Sequence, residues 1–273
     1  MKKFEGILLC TDLDGTLLQS DHTVSRDNLD AISYFQREGG LFTFVTGRMP
    51  YFAEDVYETV TPNAPVACCN GGVIYDFRTR EYVWKMELSK KARELVMQVI
   101  RQVEGVGLQI NTFERVYFCQ ENSAMKWFRD ITGMPNLVRN YDDVSEPIAK
   151  IVFGDEDEDH INAVMRILHS HPLAEQFDFI RSEYRLYEIL PKGVSKGKGL
   201  EKLAEHLNID MRKTIAVGDY NNDVPMIRAA GVGIAVANAV DEAKASADHI
   251  TVSNDEHAIA RIISDLEKGA FGI

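Results

Sequence analysis

The sequence predicts an α/β protein in which a parallel sheet carries helices on both faces and is interrupted by a second, α+β module. Three observations lead there. At both ends of the chain, short apolar runs alternate with amphipathic stretches, the pattern of strand–helix–strand units. Three early runs stop in small polar clusters: Asp12-Leu13-Asp14-Gly15-Thr16, Thr46-Gly47-Arg48 and Asn70-Gly71-Gly72. In the middle the order becomes helix, strand, strand, and it occurs twice. The expected architecture is a discontinuous Rossmann-like core built from 1–81 and 192–273, with an α/β domain inserted at 82–191.

Residues 7–10 are apolar without alternation and precede turn residues, so they form the first strand. A helix follows over 26–38, with Ser25 at its start, Leu29, Ile32 and Phe35 on one face, and Gly39-Gly40 to stop it. Residues 41–45 make the second strand. A helix opened by Pro50 leads to a strand at 66–69. Strands at 73–76 and 81–86 form an antiparallel hairpin. The insert then reads as helix 89–104, strands 108–112 and 116–119, helix 123–132, strand 148–153, helix 157–169, and strands 177–182 and 185–190. The acidic run 155–159 is a solvated loop and helix start, where negative charge suits the helix dipole. Trp84, Trp127 and Tyr187 are read as core aromatics of the inserted module. After Pro191 the alternation resumes: helix 196–207, strand 214–217, helix 224–230, strand 233–236, helix 240–247, strand 249–252 and helix 256–268.

Hydrophobic and charged contents of 45% and 26% over 273 residues are those of a globular chain with a sizeable core. A net charge of −12 excludes general binding to a nucleic-acid backbone, which needs a basic face. A small anion is still accommodated where a few cations share one cleft. Cys10, Cys68, Cys69 and Cys119 show no paired metal spacing and sit mostly in apolar runs, as reduced core thiols do. Lys2 and Lys3 precede an apolar run too short for a signal peptide, and no run approaches the ~18 residues of a membrane helix. A cytoplasmic chain without a membrane partner is expected, as a monomer or weak homo-oligomer.

The chemistry gathers at strand ends. Asp12 and Asp14 concentrate negative charge where open α/β sheets bind ligands, and a divalent cation is the natural partner. A calcium loop counted from Asp12 fails, since Gly15 is fourth and Thr23 twelfth. Asp219, Asn222 and Asp223 form a second acidic cluster after a strand; as a calcium loop it also fails, with Val224 for the glycine and Ala230 for the glutamate. Together the two clusters supply oxygens for a Mg²⁺ site. Thr46, the amides beside it and Lys196 are the donors that a phosphoryl group requires. Gly193 to Gly199 lack the spacing of a P-loop, and Gly231-Val232-Gly233 is no dinucleotide fingerprint because Val236 stands at the third glycine position. Taken alone, Lys196 reads as a solvated lysine at a helix start.

Asp12-Leu13-Asp14-Gly15-Thr16, Thr46-Gly47-Arg48, Lys196 in Val194-Ser195-Lys196-Gly197, and Gly218-Asp219 with Asn222-Asp223 resemble, in order, the four motifs of the haloacid dehalogenase superfamily. The insertion between the second and third resembles the larger, type IIB cap of its Cof-type hydrolases, and the likeness spans essentially the whole chain. The resemblance implies that Asp12 is a nucleophile forming an aspartyl-phosphate, and that Asp14 protonates the leaving alcohol and then deprotonates water. It implies a Mg²⁺ site of Asp12, the backbone carbonyl of Asp14, and Asp219, with Asp223 orienting Lys196 or a water on the metal. Thr46 and Lys196 would bind the phosphoryl group and Asn222 would help position it. Arg48, beside Gly47, either reaches the substrate phosphate or pairs with an acidic neighbour. Asn70 and Gly71 match a substrate-side loop of the family or form the tight turn that opens the hairpin. Glu256-His257-Ala258 departs from the family's usual Asp-Gly pair there.

The reading that follows is a Mg²⁺-dependent phosphatase for small phosphorylated metabolites, sugar phosphates or phosphorylated cofactors, whose cap excludes water and chooses the leaving group. A phosphotransferase or phosphomutase on the same scaffold is the alternative. A non-catalytic phosphometabolite sensor is a third reading, disfavoured because binding alone has no need of a proton donor beside the nucleophile.

Overall fold

The computed structural model describes residues 2–273, and the chain divides into two compact units, Met1–Lys85 with Ser195–Ile273, and Met86–Val194. The first unit contains strands β1 (Leu8–Thr11), β2 (Leu41–Phe44), β3 (Val66–Cys68), β4 (Val73–Asp76) and β5 (Glu81–Lys85). Helices α1 (Arg26–Arg37) and α2 (Pro50–Val60) lie among them in sequence. The second contains α3 (Ala92–Gln102), β6 (Gly107–Thr112), β7 (Val116–Gln120), α4 (Ser123–Thr132), β8 (Ile148–Gly154), α5 (Glu158–Ser170), β9 (Phe177–Glu183) and β10 (Leu186–Pro191). The chain returns to the first unit with α6 (Lys196–Leu207), β11 (Thr214–Gly218), α7 (Val224–Ala229), β12 (Val232–Ala235), α8 (Asp241–Ser246), β13 (His249–Ile250) and α9 (Ala258–Glu267).

The main sheet runs β13-β12-β11-β1-β2, parallel throughout. β1 lies between β11 and β2, with Thr11 level with both Val217 and Phe44. Asp12 follows β1 and Asp219 follows β11, so this register alone brings the two acidic clusters side by side. Buried Leu8, Cys10 and Ala216 of these strands pack with Leu200, Leu203 and Ala204 of α6, which explains why the strands read as uninterrupted apolar runs. α1 starts where the Ser25 hydroxyl accepts from the Asn28 amide, and it packs along α9.

Two expectations need correction. The strand at β3 is not a regular member of the parallel sheet: it pairs antiparallel with β4 in a three-stranded sheet β3-β4-β5, and meets the main sheet through a bridge from Ala67 to Val45. An apolar run with turn residues behind it does not disclose strand direction. Trp84 belongs to β5 in the first unit, because β5 is held by its ladder to β4, and there it packs against the core of α6 and β1.

In the second unit the antiparallel sheet runs β7-β6-β8-β10-β9, so α3-β6-β7 and α5-β9-β10 flank the central β8. One face carries Leu108, Ile110, Ile151, Phe153 and Ile189 against the apolar sides of α3 and α5. The acidic run is a helix start: Asp157 accepts from the Asp159 amide ahead of α5. The four cysteines are free thiols. Among the described residues no helix is long and apolar enough to cross a membrane.

Candidate active site

Asp12, which follows β1, is 6% exposed, and the chain then turns sharply through Leu13–Leu17. That turn depends on Gly15, whose φ of +79° is left-handed and whose missing Cβ would stand 2.6 Å from the Asp219 carboxylate. Thr16 donates its hydroxyl to Asp219 Oδ1 at 2.9 Å, tying the two strand ends together.

Lys196, the first residue of α6, is buried to 1% exposure. Its Nζ donates to Asp12 Oδ1 at 2.7 Å and to Asp223 Oδ1 at 2.6 Å. The solvated lysine expected from local sequence is therefore corrected: a helix start is exposed by default, but here two carboxylates from distant segments and the loop of Gly71 enclose it. Gly71 has φ +88°, and a Cβ on it would overlap the Ser195 carbonyl just ahead of Lys196. Gly71 thus lets its loop press against the N-terminus of α6.

Both oxygens of Asp223 accept hydrogen bonds: Oδ1 from Lys196, and Oδ2 from the backbone N–H groups of Asp219 and Tyr220 at 3.0 Å each. Three carboxylates meet one ammonium, so the cluster carries excess negative charge in a dry place. Burial pushes the Asp12 carboxyl well above the ordinary carboxylate range; Lys196 draws it back, and Asp223, Asp219 and Asp14 raise it further. Burial and the Asp223 charge push Asp219 up to about 7. Burial works against the Lys196 ammonium, but Asp12 and Asp223 outweigh it and hold the proton.

One ligand oxygen from each of Asp12, Asp219 and Asp223 lies within 4.8 Å of the others. Hard oxygen donors carrying unbalanced negative charge fit a hard divalent cation of the Mg²⁺ kind, whose opposite ligands stand about 4.2 Å apart. The Asp14 carboxylate is not in this group. It accepts from Arg48 Nε at 2.9 Å and from Nη2 at 2.5 Å, a fork-on-fork pair with Asp14 half exposed. Of the two readings open for Arg48, the geometry has the acidic neighbour.

Thr46 is 1% exposed at the end of β2, and its hydroxyl accepts from the Arg48 amide at 3.2 Å. Asn70 accepts from Asn222 Nδ2 at 3.1 Å across 152 residues, and its own amide bonds the Thr46 carbonyl. Cys69 and Asn70 both have φ of 53°, so this loop is left-handed at two non-glycine residues. Gly47 sits beside Asn70, with room for a Cβ only 3.2 Å from its Oδ1.

The sequence reading missed Asn238 and Asn254. Asn238 Nδ2 donates to the Gly15 carbonyl at 2.8 Å, and its Oδ1 accepts from the Asn254 amide at 3.0 Å. Asn254 in turn donates to the Leu18 carbonyl at 2.9 Å, while Asp255 accepts from Ser20. Two asparagines thereby hold the middle and the far end of the turn that carries Asp14. Asn238-Ala239 and Ser253-Asn254 in loops after apolar strands were the available signal.

A model of haloacid dehalogenase-like hydrolases matches residues 9–263. The chain belongs to this family. It is 28% identical to the phosphatase YwpJ of Bacillus subtilis, over 95% of this chain and 99% of that one. It is 26% identical to a second Bacillus subtilis relative, the 5-amino-6-(5-phospho-D-ribitylamino)uracil phosphatase YitU, over 94% and 96%. A haloacid dehalogenase-like hydrolase from Bacteroides thetaiotaomicron superposes with a TM-score of 0.84 at 25% identity, covering 95% of this chain and 99% of that one. Within the haloacid dehalogenase superfamily the chain is a Cof-type hydrolase, with the α/β core and inserted α+β module of that type.

Proposed function

We propose that this Cof-type enzyme is a Mg²⁺-dependent phosphatase that releases phosphate from small phosphorylated metabolites through an aspartyl-phosphate on Asp12. The observation that carries the reading is the 2.7 Å contact of Lys196 with Asp12 inside a cluster of three carboxylates. An ionised carboxylate is needed at the attacking atom, and the ammonium is the protein's own means of keeping charge there.

In the first half-reaction an Asp12 oxygen forms a bond to phosphorus while the ester P–O bond breaks, and the alcohol leaves with a proton from Asp14. In the second, Asp14 takes a proton from water, the water oxygen attacks phosphorus, and the Asp12–phosphorus bond breaks to return carboxylate and phosphate. Asp14 must leave Arg48 to meet the ester oxygen, and the guanidinium so released is a second cation for the phosphoryl group. Lys196 and the Thr46 hydroxyl supply donors, and the Asn70–Asn222 pair fixes Asn222 for the same purpose. Mg²⁺ held by Asp12, Asp219 and Asp223 with the Asp14 carbonyl would supply positive charge against the phosphoryl oxygens.

Relatives named as phosphatases, among them one acting on a phosphoribitylamino-uracil, support a phosphorylated cofactor precursor or sugar phosphate as substrate. The test is Asp12→Asn. Phosphate release from p-nitrophenyl phosphate is expected to fall below detection while the melting curve stays cooperative; full activity in that variant refutes the assignment.

A further inference from the structure

The outward side of α3 and His171, just beyond α5, line a cleft of about 700 Å³ within the second unit. Sites for small molecules measure about 300–1,000 Å³, so the space suits an organic molecule rather than a bare ion. Two rows of side chains run along it at helical spacing: Arg93, Met97 and Arg101, and beside them Glu94, Gln98 and Gln102. Met97 packs on the apolar core and is the one apolar residue of the lining. Met97, Gln98 and His171 are half-buried, and the others are exposed and open to a ligand.

This side of the unit is cationic, although the chain carries a net charge of −12. Residues 90–102 contain Lys90, Lys91, Arg93 and Arg101 against Glu94 alone. A solvated helix face gains from opposite charges four residues apart; here Glu94 meets Gln98, and Arg101 meets Met97. Arg101 Nε donates to the Met97 carbonyl of its own helix at 2.9 Å, which leaves both Nη groups without an acceptor. Among the described residues the side chains of Glu94, Gln98 and Gln102 have no hydrogen-bond partner either. His171 Nδ1 accepts the Leu173 amide at 3.1 Å, so the ring proton sits on Nε2, a donor. Arg93 forks onto Asp142 at 2.7 and 3.0 Å, but both partners are exposed, and such a pair yields readily to a second anion.

The order of these groups says what shape of ligand they fit. Lys91 donates to Gln176 at 3.2 Å, which lays the segment after α5 along the first turn of α3. Arg93 and His171 therefore stand at one end of the cleft and Arg101 at the other. At a rise of about 1.5 Å per residue, the two arginines are rooted about 12 Å apart. Between them the carboxamides donate and accept and Glu94 accepts, a set that suits hydroxyls. We propose that this cleft binds a small organic dianion with an oxyanion at each end and hydroxyls between, of the sugar bisphosphate class. The site is formed by the second unit alone and takes no part in turnover at Asp12, so it stands or falls independently of the phosphatase reading.

Isothermal titration calorimetry on the full-length protein, without Mg²⁺, compares fructose 1,6-bisphosphate, fructose 6-phosphate and glucarate, a hydroxyl-rich chain with a carboxylate at each end. The bisphosphate is expected to bind at least tenfold more tightly than either of the others. Arg101→Gln, at an exposed position, should lose that margin, whereas binding of one phosphoryl group beside Asp12 is common to both proteins and cancels. Hydrogen exchange locates the site: the bisphosphate should slow amide exchange over 92–102 in the wild type and not in Arg101→Gln. Equal affinity for the two fructose phosphates, an unchanged margin in Arg101→Gln, or unaltered exchange in α3 overturns the proposal. Glucarate binding as tightly as the bisphosphate overturns the assignment to phosphate.

Discussion

Asn238 reaches across the sheet ends to donate a 2.8 Å hydrogen bond to the carbonyl of Gly15, a residue 223 positions earlier. The bond fixes the turn that follows Asp12 and carries Asp14, and Asn254 repeats the arrangement at Leu18. A proton donor misplaced by one ångström can cost a hundredfold in rate, so such a clamp matters to chemistry more than to folding. Asn238→Ala is expected to lower kcat for p-nitrophenyl phosphate about tenfold with little change in KM. Asn238→Asp keeps the acceptor for Asn254 but loses the donor, and it should be no better. Wild-type kcat in Asn238→Asp would show that the bond to Gly15 is dispensable.

Lys196 compensates two buried carboxylates, and removing one partner of a buried pair costs about 3–5 kcal/mol. Lys196→Met should lose activity and melt well below the wild type. Millimolar Mg²⁺ should raise the melting temperature of both proteins, and Asp219→Asn should abolish that rise, read by differential scanning calorimetry. A variant whose melting temperature matches the wild type without metal would mean the cluster is not strained by its charge.

Glu146 supplies a pH dependence remote from this cluster. The Tyr117 hydroxyl donates to it at 2.6 Å, the Ser145 amide at 3.0 Å, and Arg139 stands at 3.0 Å, which together hold its carboxyl down to about 2. A depressed carboxyl contributes stability that is complete above its ordinary value and is lost as pH falls through its folded value. Between pH 4.5 and about 2 the wild type should therefore lose more stability than Glu146→Gln, as followed by denaturant titration at several pH values. Parallel losses would remove Glu146 from the account.

Thr61 ends α2 in the left-handed region, at φ 51°, where a β-branched residue is strained and glycine is at ease. Its side chain is exposed, and the hydrogen bond it receives from Gln36 goes to its backbone carbonyl. Thr61→Gly should stabilise the protein by about 0.5–1 kcal/mol in urea unfolding, the relief of strain exceeding the added freedom of the unfolded chain.

Much of this molecule is legible in one dimension because its signals are local. Apolar runs that stop at Asp12, Thr46 and Gly218 announce strands whose ends carry function, and Ser25, Pro50 and Asp157 announce helix starts, since each acts on backbone within a turn of itself. The direction of β3 and the side to which Trp84 belongs are not local, because both follow from which ladder the strand joins.

By itself the sequence determined the order of the four motifs, the residue types they offer and the α/β rhythm that puts them at strand ends. Only the tertiary structure decided that Lys196 is buried between Asp12 and Asp223, that Asp14 rests on Arg48, and that Asn238 holds Gly15. The reason is physical. A side chain's partner is chosen by how helices and strands pack, for Asn238 from a residue 223 positions away and for Asn254 from one 236 away, and spacing along the chain carries no record of that choice.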